Sequence, residues 1–138
     1  MTAAGEHDLD VLLASLDPQL DPEPYVFASV GPGPVDPSLE PIVTVVEAEG
    51  TTLVLHAAAA QGARERGSEL AESAPMTRIT LLVHSSLDAV GLTAAVAGAL
   101  ADAGISCNVV AGYFHDHLFV PEARSDEACA LLRGLSQS

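Results

Sequence analysis

The sequence predicts an α+β protein built as two interlocked, ferredoxin-like (βαββαβ) sandwiches with antiparallel sheets. Three observations carry that expectation. From Arg78 onward the hydropathy pattern reads strand, helix, strand, strand, helix, which lacks only a closing strand to complete the β-α-β-β-α-β unit. The last helix runs almost to the end of the 138 residues, so the closing strand is expected from the first half, as Tyr25–Val30 or Thr52–His56. A chain of this length buries one ordinary core or two small halves that share one. The halves, residues 1–70 and 71–138, are therefore expected to depend on each other.

Each element follows from its local pattern. Leu9, Leu12, Leu13 and Leu16 recur at helical spacing, and the prolines of "DPQLDPEP" then stop that short helix. "YVFASV" at Tyr25–Val30 is rich in strand formers, whereas "GPGPVDPSLEP" is a proline-glycine loop that cannot lie inside a strand. Two further strands, Ile42–Glu47 and Thr52–His56, flank a Glu49-Gly50 turn. Ala57–Arg66 reads as a helix and "GSELAESAP" as a polar linker. In the second half, Ile79, Leu81 and Val83 share one face of a strand over Arg78–His84. Leu92, Val96, Leu100 and Ala103 make one face of a helix, with Asp88 as its expected N-cap and Gly104 as its left-handed terminator. Strands follow at Ile105–Tyr113 and His117–Val120. A last helix, expected to be capped by Ser125, turns Ala128, Leu131, Leu132 and Leu135 inward, with Asp126 and Glu127 in its first turn and Arg133 in its last to suit the helix dipole.

Composition narrows the function. The chain is 49% hydrophobic but only 4% aromatic, so small aliphatic side chains must do the packing. Nineteen acidic residues against five basic ones give a net charge of -14, which repels nucleic-acid backbones and anionic membranes. The acidic start has no signal-peptide pattern, and the apolar run Ala89–Ala101 is too short to span a bilayer. A cytoplasmic protein without nucleic-acid or membrane partners is expected. Cys107 and Cys129 lack metal-type spacing and read as buried thiols.

The run from Arg78 to Pro121 resembles an ACT domain, a small regulatory module that binds amino acids in many biosynthetic enzymes. Asp88-Ala-Val-Gly91-Leu92 stands where that family carries Asp-x-Pro-Gly-Leu, with Val90 in place of the proline, and Gly104-Ile105-Ser106 matches its next step. In the first half, "LLASLDPQLDPEPYVFASV" and "EAEGTTLVL" are similar to the N-terminal portion of stand-alone paired ACT proteins, in a layout like that of the CASTOR-type amino-acid sensors. The resemblance implies a regulatory module without enzymatic activity, which binds a small amino acid and acts through homo-oligomerisation, as a dimer or higher, or through a partner protein.

The residues of that loop suit such a ligand. Ser85, Ser86 and Asp88 lie between a strand end and a helix start, where free N–H groups attract a carboxylate, and Asp88 or Asp116 can hold an ammonium group. Gly91 permits close approach beside Val90 and Leu92, and His115 flanks the same interface. The bland alternative is that Ser86 and Asp88 only cap the helix. Two other readings compete: His115 and His117, two apart on a strand, could bind zinc or nickel with His84 or His56, or the protein could be a ligand-free assembly module. More often such a histidine pair belongs to a tight turn between Tyr113 and Leu118. Catalysis lacks a Gly-x-Ser-x-Gly elbow, and the prolines of "GPGP" remove the donors a phosphate loop needs, so no cofactor is expected.

Overall fold

Residues 8–84 and 90–136 are described in this computed structural model. In chain order the elements are α1 (Leu9–Ala14), β1 (Pro18–Leu20), β2 (Tyr25–Val30), β3 (Val43–Glu47), β4 (Gly50–His56), α2 (Ala57–Glu65), β5 (Ala71–Glu72), β6 (Met76–Leu81), α3 (Leu92–Asp102), β7 (Asn108–Ala111), β8 (Asp116–Pro121) and α4 (Ser125–Leu135). Short 3-10 turns add Pro37–Leu39 and Glu122–Arg124. The chain folds as two units, one made of Glu23–Met76 and the other of the residues up to Pro22 together with Thr77 onward. The second of these is discontinuous, its N-terminal segment separated in sequence from the rest by the whole of the other unit.

In the discontinuous unit, β6 lies between β1 and β8, and β7 pairs antiparallel with β8. The closing strand is neither Tyr25–Val30 nor Thr52–His56. It is β1, antiparallel to β6 with Pro18 opposite Leu81 and Leu20 opposite Ile79. Proline is tolerated there because it is the first residue of its strand, where a missing N–H costs no interior ladder bond. Asp17 makes the turn into β1 in the left-handed region at φ 45°, its side chain accepting from Gln19 Nε2 at 2.8 Å. Helix α1 begins at its cap Asp8, whose carboxylate accepts from the backbone of Asp10 and Val11. Leu12 and Leu16 are fully buried with Ile79, Leu81, Leu92, Val96, Leu100, Leu118, Val120 and Leu132 in this unit's core.

Two helix ends differ from expectation. Helix α3 starts at Leu92 with Gly91 at the cap position, one turn later than a cap at Asp88 requires, and Asp88 itself lies outside the described residues. Its C-terminus is as expected, with Gly104 at φ 72°. Arg124 adds to that end by donating to the carbonyls of Ala103 and Gly104 at 3.0 and 3.1 Å, a cation against the negative end of the helix. Ser125 is not the cap of α4 but its first residue. The Glu122–Arg124 turn carries the backbone straight into the helix, so the Ser125 hydroxyl donates backward to Glu122 O at 2.9 Å.

In the continuous unit the sheet order is β3-β4-β2-β5, all antiparallel. Its core joins Val26, Ala28, Leu39, Leu53, Leu55, Ala60 and Ala63. The stretch expected as a polar linker contains β5, tied to β2 by pairing and by Ser73, whose hydroxyl accepts from Phe27 N at 3.0 Å. Gly50 closes the β3-β4 hairpin at φ 153°, and a Cβ there would lie 2.4 Å from Val30 O. No side chain fits that position.

Candidate functional site

At one end of the discontinuous unit, the segment after β6 meets the turn between β7 and β8. Ala111 pairs with Asp116, and Gly112 N donates to His115 O at 2.9 Å, which closes a four-residue turn over Gly112–His115. A Cβ on Gly112 would come within 2.7 Å of that same oxygen, so this close approach requires glycine. His115 Nδ1 donates across to Val83 O at 3.4 Å. The His84 ring lies 5.4 Å from that of Phe114, which in turn meets Tyr113 edge-on at 5.0 Å. Tyr113 and Phe114 are nevertheless 59% and 50% exposed, in a chain with few aromatics.

The residues singled out from the sequence fall into distinct environments. Ser85, Ser86 and Asp88 lie outside the described residues. Val90 is almost fully exposed, Gly91 stands at φ 98° at the head of α3, and Leu92 is buried in the core. The space above Gly91 is partly filled by Leu9 of α1, whose Cδ2 lies 3.2 Å from where a Cβ would be. Asp116 is buried at 9% exposure, on the strand face of Leu118 and Val120. His115 is half-buried. The sequence offers His84 only as a metal ligand and Tyr113 only as the start of a turn, and it does not single out Phe114; ring stacking of His84 on Phe114 joins two segments thirty residues apart. Their only linear signal is the adjacent Tyr-Phe pair beside the histidines.

His115 and His117 have separate partners. His117 Nδ1 lies 3.0 Å from Thr80 Oγ1 on the neighbouring strand β6, while His115 turns to Val83 O. Burial pushes the His117 pKa down, and the nearby Arg78 guanidinium and His115 add to that, against Asp116, which pulls it up. Neutral imidazole is favoured. Among the described residues, no three His, Cys, Asp or Glu side chains gather as a metal ion would need. Nor is any helix among them long and apolar enough to cross a membrane.

No functionally curated protein matches the chain. Among solved structures, a protein of unknown function from Vibrio cholerae, described as a possible transport protein, is 48% identical over 93% of this chain and 95% of its own, with a TM-score of 0.80. A protein from Agrobacterium tumefaciens shares 16% identity over 83% of this chain and 84% of its own at a TM-score of 0.66. The ligand-free regulatory subunit of aspartate kinase from Thermus thermophilus shares 12% identity over 86% and 95%, at 0.64, a likeness of fold. ACT-domain profiles match residues 4–71 and again residues 74–134. With two successive matches and a largely antiparallel α+β fold, the chain belongs to the ACT-domain family and carries two such domains.

Proposed function

We propose that this protein is a non-enzymatic cytoplasmic regulator that binds a free α-amino acid at the end of the discontinuous unit and passes its occupancy on through assembly or a partner protein. The observation that supports this best is the meeting of the segment after β6 with the β7-β8 turn, joined by His115 to Val83 O and by the stacked rings of His84 and Phe114. The head of α3 follows the first of these segments in sequence; Gly91 caps it without a side-chain hydrogen bond, and the positive helix end attracts a carboxylate. In this reading Ser85, Ser86 and the backbone from Val90 to Leu92 receive the carboxylate, Gly91 leaves room for it, and Asp88 or Asp116 receives the ammonium group beside His115. The exposed faces of Tyr113 and Phe114 offer the ligand's side chain an apolar or cation-π surface. A chain at net charge -14 favours a neutral or cationic side chain over a dicarboxylate.

A thermal-shift screen of the common amino acids tests this reading. A ligand that binds only the folded state raises the melting temperature in proportion to its occupancy. At least one neutral or cationic amino acid should do so, and the rise should shrink in Tyr113→Ala and Phe114→Ala. Shifts from dicarboxylates alone would reverse the charge argument.

A further inference from the structure

The two units share one strand plan, β5-β2-β4-β3 in the continuous unit and β1-β6-β8-β7 in the other. Between β6 and β7 the chain forms α3, of 11 residues, whereas between β2 and β3 it forms only the 3-residue turn Pro37–Leu39. That turn has no donor to spare. Pro37 and Pro41 carry no N–H, Ser38 N donates to Asp36 Oδ1 at 2.9 Å, Leu39 N to Asp36 O at 3.2 Å, Glu40 N to Pro37 O at 3.1 Å and Ile42 N to Val54 O at 2.9 Å. The Ser38 hydroxyl donates to the same Asp36 oxygen at 2.7 Å, and Leu39 is buried in that unit's core. The Ser38 bonds hold the Asp36 pKa below its ordinary value, so a fixed negative charge stands at the turn at neutral pH.

We propose that Asp36 is a built-in substitute for a ligand's carboxylate: it closes the continuous unit to amino acids and leaves one binding site per chain, in the discontinuous unit. A ligand carboxylate arriving at the turn would meet a like charge and no free N–H. The continuous unit is then the constant half of the molecule. Given the function proposed above, on which this rests, a single chain answers its ligand along a simple hyperbolic curve, and any steeper response comes from coupling between chains.

Amide NMR of the full chain, titrated with sodium acetate and then with glycine, reads the two units separately. The resonances of Gly91 and Leu92 should move, and those from Ser38 to Ile42 should not. In calorimetry, the amino acid that most raises the melting temperature should saturate at one equivalent per chain. Asp36→Ala should speed exchange of the Ser38 amide by about tenfold or more, as the loss of a charged acceptor implies. Movement from Ser38 to Ile42 in the wild type, two equivalents per chain, or an unchanged Ser38 exchange rate would overturn the proposal. Silence at Gly91 and Leu92 with no saturable heat would instead count against the function proposed above, while still Ser38–Ile42 resonances and the faster Ser38 exchange would uphold the closure of the continuous unit.

Discussion

Removing residues 1–22 should unfold the C-terminal half, although every strand and helix that the second ACT match covers remains. Leu12 and Leu16 are fully buried in the core of that unit, and burying a leucine contributes about 1.5–3 kcal/mol. Together they account for about 3–6 kcal/mol on the same scale. The tie between β1 and β6 adds Asp21 N to Arg78 O at 2.9 Å, Leu82 N to Asp17 O at 3.3 Å and Val83 N to Leu16 O at 3.4 Å, each worth about 1 kcal/mol net. The total approaches the roughly 5–15 kcal/mol that separates a folded domain from its unfolded chain. A chain of residues 77–138 should therefore give a broad, weakly cooperative urea transition by circular dichroism, and a synthetic peptide of residues 8–22 should restore a cooperative one. In the intact protein, Leu16→Ala should cost about 3 kcal/mol. A sharp two-state transition from 77–138 alone, as a monomer, would refute the interlocked fold.

Other consequences are local. Gly50→Ala places a Cβ 2.4 Å from Val30 O at a positive φ, so backbone strain and overpacking together should lower stability by about 2–5 kcal/mol in chemical denaturation. His117 is held below its ordinary pKa chiefly by burial, so the unfolded chain binds its proton more readily than the folded one. Its contribution to stability is present in full above the ordinary histidine pKa and is lost as pH falls from there through the lower folded value. His117→Gln, measured by urea midpoints across that window, should flatten the slope, and an unchanged slope would remove His117 as its source. Burial raises the pKa of the Cys107 and Cys129 thiols, so both should alkylate slowly at neutral pH in the native protein and readily in denaturant.

Elements whose burial follows a regular period are legible in the sequence. Leu92, Val96 and Leu100 are buried at the spacing that marks α3, and Gly104 stands in the left-handed conformation that a helix terminator needs. What escapes is structure made by partners rather than by pattern. β1 has three residues, begins with proline and is followed by Pro22 and Pro24, so locally it looks like a break; only the edge of β6 makes it a strand. β5 has two residues and exists because β2 is beside it. Ser125 and Asp88 have the chemistry of helix caps, but for Ser125 a preceding 3-10 turn decides where the helix starts, and α3 takes Gly91. At the candidate site, the loop motif and the turn histidines stand out in one dimension. The contacts of His84 with Phe114 and of His115 with Val83 depend on how the strands bring two loops together.

Calorimetric titration of the intact protein with the amino acid that most raises its melting temperature tests the central claim, that this paired ACT chain binds a free amino acid. The wild type should give saturable heats, and Asp116→Asn, if that carboxylate meets the ammonium group, should weaken binding by about 1.5–3 kcal/mol, the range for a hydrogen bond to a charged group. If Asp88 takes no part in binding, Asp88→Ala should leave the heats unchanged. No saturable heat from any common amino acid at millimolar concentration would contradict the claim and leave a ligand-free assembly module as the better account.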